Sequence, residues 1–266
     1  MAIITLTTDF GTDDPYVAIM KGVILGINPD ATVVDICHTI KPQNISQAAY
    51  IISTASKYFP PGAIHVVVVD PGVGTSRQAI LLSTQRALFL GPDNGVLGYV
   101  IDEAAPHIEA YTLTNKEFWL EPLSNTFHGR DVFAPVAAHI STGKPLAEFG
   151  EALPTLATIS IPRPQTDEDG LVIGHVIHVD WFGNLITDIR QDDLPKGRLF
   201  VEVGGHIIDY LSTSYEEGEE LMAMVGSDNR LEVSIKKGSA AGFLRADIGD
   251  EVKVGINKTS IKGRSR

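Results

Sequence analysis

The chain has 266 residues, 44% of them hydrophobic, and a formal net charge of −12. That length supports a large core, and two domains more readily than one, without covalent staples. The acidic balance argues against a nucleic-acid partner, whose phosphates call for clustered Lys and Arg, and no apolar run approaches the roughly 18 residues that span a membrane. The single cysteine, Cys37, cannot form an internal disulfide, and its apolar context (VVDIC) reads as packing rather than as a reactive thiol. With an opening MAIITLTTDF that reads as a strand rather than a secretion signal, the expected compartment is the cytoplasm.

In chain order, residues 2–8, 32–38 and 63–70 are β-branched runs separated by helical patterns at about 15–27 and 45–59. This alternation predicts an amino-terminal α/β domain with a largely parallel sheet, IHVVVV being a central strand covered on both faces. Sites in such sheets gather at strand carboxyl ends, where Asp9, His38 and Asp70 fall. TTDFGTDD (7–14) offers carboxylates suited to a ribose diol or to a metal. Asp9, Asp13 and Asp14 match three positions of a nucleoside-hydrolase calcium motif whose first position is here Thr7.

In VVVVDPGVGTSR (66–77), Pro71, Gly72 and Gly74 turn the chain abruptly after Asp70 and return Arg77 towards it. The pair reads equally as a structural ion pair, and the Gly-Lys-Ser/Thr ending of a phosphate loop is missing. FHGRDVFAP (127–135) sets His128 just ahead of a helix expected to begin near Arg130 or Asp131, a place that favours an anion, whereas His139 lies within the helical pattern and reads as packing. PRPQTDEDG (162–170) has linker composition, giving domains at 1–163 and 171–266 with the linker at about 164–170. Beyond it, short strand-like runs predict a small, all-β, barrel-like domain. There, DWFGN (180–184) is a good hairpin turn that also presents Phe182 for stacking and Asn184 for reading a base edge.

TTDFGTDDPYV, VVDICHTI, VVVDPGVGTSR, FHGRDVFAP, DWFGN and the serine turn GSDNRLEVS occur in one order along the chain. In this they resemble the S-adenosylmethionine hydroxide adenosyltransferases, relatives of the bacterial fluorinase and chlorinase. The resemblance implies hydrolysis of S-adenosylmethionine to adenosine and methionine by attack of water or hydroxide at C5′. It needs no cofactor and no metal, since S-adenosylmethionine is the substrate, and it implies a homotrimer with sites between adjacent subunits. It also implies Asp70, Arg77 and His128 as the hydroxide-handling set and Asp9 on the ribose. Phe182 and Asn184 would meet the adenine, and Asp180 and Ser227 the methionine end. Two positions depart from the fluorinase pattern: Gln43 replaces a tryptophan and Asp228 an arginine. Two other readings stand beside this one, a metal-assisted nucleoside hydrolase and a non-catalytic adenosine or S-adenosylmethionine sensor.

Overall fold

The structure, a computed structural model, describes residues 2–217 and 220–257. The chain divides into two compact units, Met1–Ile161 and Pro162–Arg266. Residue 1 and residues 218–219 and 258–266 of the two expected domains lie outside the described residues.

The first unit contains β1 (Ile3–Thr8), α1 (Tyr16–Ile27), β2 (Thr32–Cys37), α2 (Ile45–Ser56), β3 (Ile64–Val68), β4 (Ala79–Thr84), β5 (Leu88–Pro92), α3 (Gly98–Ala104), β6 (Ile108–Thr112) and α4 (Ala134–Ser141). Its sheet runs in the order β2-β1-β3-β5-β4-β6. The first four strands are parallel, and β4 lies antiparallel to both β5 and β6. Strand alternation sorts the core onto two faces. Ile64, Val66 and Val68 pack with residues of α1 and α4, while Val67 and Val69 pack with Ala48 and Ile52 of α2 and Val100 of α3. The VVVV run is apolar throughout because helices cover both sides of β3. Cys37 is only half-buried, at the margin of the α2 face, because it ends an outer strand rather than a central one.

The second unit is an antiparallel, nearly closed barrel-like sheet. It comprises β7 (Gln165–Thr166), β8 (Val172–Val179), β9 (Leu185–Arg190), β10 (Leu199–Val203), β11 (His206–Ile208), β12 (Leu221–Val225), β13 (Arg230–Ile235) and β14 (Glu251–Ile256). One short helix, α5 (Ala240–Leu244), interrupts the strand pattern and sends Ala240 and Leu244 into the barrel core. The polar stretch of linker composition also carries structure. Gln165 and Thr166 pair with Ile173 and Val172, and the Asp167 side chain accepts the backbone N–H groups of Asp169 and Leu171 to close the turn between them.

Candidate functional site

Three segments converge at the carboxyl ends of β1 and β3. The loop after β3 brings Arg77 back onto Asp70 as the sequence predicts: Nε donates to both carboxylate oxygens at 2.9 Å, and Nη2 donates to Oδ2 as well. Both side chains are nearly buried, with Asp70 5% and Arg77 10% exposed, so this is a desolvated bidentate pair and not a surface ion pair. The guanidinium also lies 5.6 Å from the centre of the Phe133 ring.

Arg77 binds a second partner. Its Nη2 donates to His128 Nδ1 at 2.8 Å. A guanidinium only donates, so Nδ1 must present its lone pair, and the imidazole is neutral with its proton on Nε2. Electrostatics agrees: burial, followed by the positive charge of Arg77, pulls the His128 pKa below 6.5. Asp70, Asp131 and the Ser124 backbone pull it weakly the other way.

The helix expected after His128 opens differently. Gly129–Phe133 forms a π-helical turn before α4 begins at Ala134. Phe127 O accepts the N–H groups of both Arg130 and Asp131, each at 3.1 Å. The buried Asp131 then accepts Ser124 N at 2.8 Å and pairs with Arg130, tying the segment before His128 to the turn after it. Asp131 carries a positioning role that sequence reasoning missed; a carboxylate directly ahead of an apolar helical run was its only signal. Gly74 is a second such position. It has φ +76°, and a Cβ there would stand 2.3 Å from Asn125 O, so only glycine lets the Arg77 loop approach the His128 segment.

Asp9, at the end of β1, accepts the backbone N–H of Gln43 at 2.8 Å. Asp9, Phe10, Gln43, Asp70, Phe127 and His128 line one cavity of about 280 Å³. Asp13 and Asp14 are exposed on the following loop, and among the described residues no group of three or more His, Cys, Asp or Glu converges as a ligand set. His139 packs edge-on against Phe118 with ring centres 5.2 Å apart.

In the barrel unit, DWFGN is the turn between β8 and β9. Asp180 Oδ1 accepts the N–H groups of Phe182 at 2.9 Å and Asn184 at 2.8 Å, and Oδ2 accepts Asn184 Nδ2 at 2.9 Å. Asn184 is buried, while Phe182 is 73% exposed and presents its ring outward. Ser227 is exposed in the turn between β12 and β13, and Asp228 Oδ2 lies 3.7 Å from the buried Arg230 Nε. The expected site residues thus form two constellations, Asp9, Asp70, Arg77 and His128 on the α/β unit and Asp180, Phe182, Asn184 and Ser227 on the barrel unit.

An α/β unit carrying a part-buried Asp-Arg-His triplet, followed by an antiparallel barrel, defines a two-domain class of protein. Residues 4–150 match the family model for the S-adenosylmethionine hydroxide adenosyltransferase N-terminal domain, and residues 174–253 that for its C-terminal domain. The chain belongs to this family. It is 37% identical over 267 residues, 95% of each chain, to a Methanocaldococcus jannaschii protein named (R)-S-adenosyl-L-methionine hydrolase. It is 31% identical over 220 residues, 73% of this chain and 74% of the other, to a fluorinase from Actinoplanes sp.. A crystal structure of an uncharacterized conserved protein from Thermotoga maritima superposes with a TM-score of 0.88 at 36% identity, covering 94% of this chain and 99% of the other.

Proposed function

We propose that the protein hydrolyses S-adenosylmethionine to adenosine and methionine, and that the single observation carrying the roles of its residues is Arg77 bonded at once to Asp70 and His128 beside a cavity edged by Asp9. In the reaction, an oxygen–C5′ bond forms as the C5′–sulfur bond breaks. The electron pair goes to sulfur, the leaving group is a neutral thioether that needs no acid, and one proton is released. The difficulty lies with the nucleophile, because bulk water ionises only near pH 15.7. Asp70 and His128 both line the cavity, so a water held between them is oriented by the imidazole and gives its proton to the carboxylate as it attacks. Arg77 fixes both partners in place and holds His128 in one tautomer. Asp9 keeps a free oxygen for the ribose hydroxyls, since its other oxygen is taken by Gln43 N.

On the barrel unit, the same reading assigns Phe182 and Asn184 to the adenine and Asp180 and Ser227 to the methionine end. It makes the functional unit a cytoplasmic homotrimer with sites between subunits and no resident cofactor. The names of the hydrolase relatives specify the R configuration, so both sulfonium epimers belong in the test. Purified protein is incubated with each epimer, with and without chelator, and the products are separated by chromatography. Adenosine with methionine, unaffected by chelator, is the expected outcome. Free adenine, or loss of activity on chelation, would turn the reading towards a metal-assisted nucleoside hydrolase. A scattering mass other than three chains would remove the trimer.

A further inference from the structure

His128 lines a second cavity. This space, of about 210 Å³, is bounded by Arg77, Gln78, Thr112, Thr114 and Trp119, whereas Asp70 and Asp9 line only the first. Its walls offer an amide, the guanidinium and the hydroxyls of three threonines, Thr75 included, among the apolar side chains of Leu113 and Val132. Trp119 Nε1 is buried and has no hydrogen-bond partner among the described residues. A chamber of this size holds several waters at about 30 Å³ each, and Trp119 forms part of its wall.

Resting on the proposed hydrolysis, we propose that this second cavity is a water chamber that delivers the nucleophile while the substrate occupies the first cavity. Substrate seated over Asp9 and Asp70 closes the first route to bulk solvent. His128 is the residue common to both spaces, and one water must arrive in every turnover. A second port lets it do so without opening the substrate side.

Gln78 and Thr114 are exposed at the edge of the chamber, and neither belongs to the triplet. Gln78→Trp and Thr114→Trp, singly and together, narrow its mouth, while Trp119→Phe removes the indole donor and keeps a ring. With adenosine release at saturating S-adenosylmethionine as the readout, the double variant should lower kcat by about fivefold or more. KM and the adenosine Kd should stay within about twofold. Lowering water activity with sorbitol should slow the plugged enzyme further and leave the parent unchanged. Trp119→Phe should lower kcat by about twofold or more with KM unaltered, and it carries the test if the plugged variants fail to fold by circular dichroism. The proposal is overturned if the folded double variant keeps the parental kcat, if adenosine affinity falls in step with kcat, or if Trp119→Phe changes nothing. A parent enzyme that releases no adenosine would sink the hydrolase reading itself, which is a different result.

Discussion

Because Arg77 commits Nε and Nη2 to Asp70 and gives His128 one bond from Nη2, removing Asp70 frees the guanidinium to turn, whereas removing His128 leaves it anchored. Asp70→Ala and His128→Ala should each lower turnover by about 100-fold or more while the adenosine Kd, read by calorimetry, changes little, as expected for groups acting on the nucleophile. Binding lost in parallel with turnover would contradict these roles. The pH profile follows from the tautomer. His128 has its pKa lowered from 6.5, first by burial and then by Arg77, so it is neutral at pH 7. Protonation would put a second N–H against the guanidinium. The rate should therefore be flat just above pH 7 and fall only below 6.5, and a limb above 7 would refute the assignment. Asp70 and Arg77 were legible as a pair because a strand end and glycines announce a tight turn, while His128 joined them only through the resemblance of FHGRDVFAP to the family. Asp131 was not legible, since a π-helical turn and a buried Arg130–Asp131 pair arise from a local contest over carbonyls that periodicity does not register.

The loops themselves hold the geometry. Gly74→Ala would combine a left-handed backbone with a Cβ 2.3 Å from Asn125 O, so the segments carrying Arg77 and His128 must separate. Backbone strain of about 1–3 kcal/mol is expected, seen as a lower melting temperature together with a fall in kcat larger than the stability change explains. Unaltered kcat would show that the close approach is dispensable. In the first unit β1, β2, β3, α1 and α2 were readable from apolar runs and helical periods, as in Ile64–Val68, whereas β4, β5, β6 and α3 were not singled out. The turn at 165–171 was not readable, because Pro, Gly and acidic residues mark exposed backbone whether it links domains or rounds a hairpin at a barrel edge.

At the scale of the molecule, each unit owns a core, and the first encloses a histidine within its sheet layer. His65 is fully buried, bonds Thr5 Oγ1 through Nδ1 at 2.7 Å and stacks on Phe89 with ring centres 4.9 Å apart. Burial pulls its pKa from 6.5 to about 4. Between these values the unfolded chain binds the extra proton and the folded one does not. The neutral imidazole therefore contributes stability above pH 6.5 that fades as pH falls and is gone below about 4, worth up to about 3 kcal/mol. Urea titrations at pH 7 and 4.5 should show the loss in the parent, and His65→Phe should flatten much of it. A parent stability independent of pH over this window would argue that the site admits water.

Asp9 is held by the main chain of Gln43, not by its side chain, and Gln43 sits at φ +65°, a conformation that glycine and asparagine also accept. The anchor for Asp9 thus asks only for a main-chain N–H at a residue that tolerates positive φ, while Gln43 itself lines the cavity. Position 43 is therefore a tuning point: exchange there can redraw the wall around the substrate, and with it selectivity among adenosyl compounds, without loosening the carboxylate.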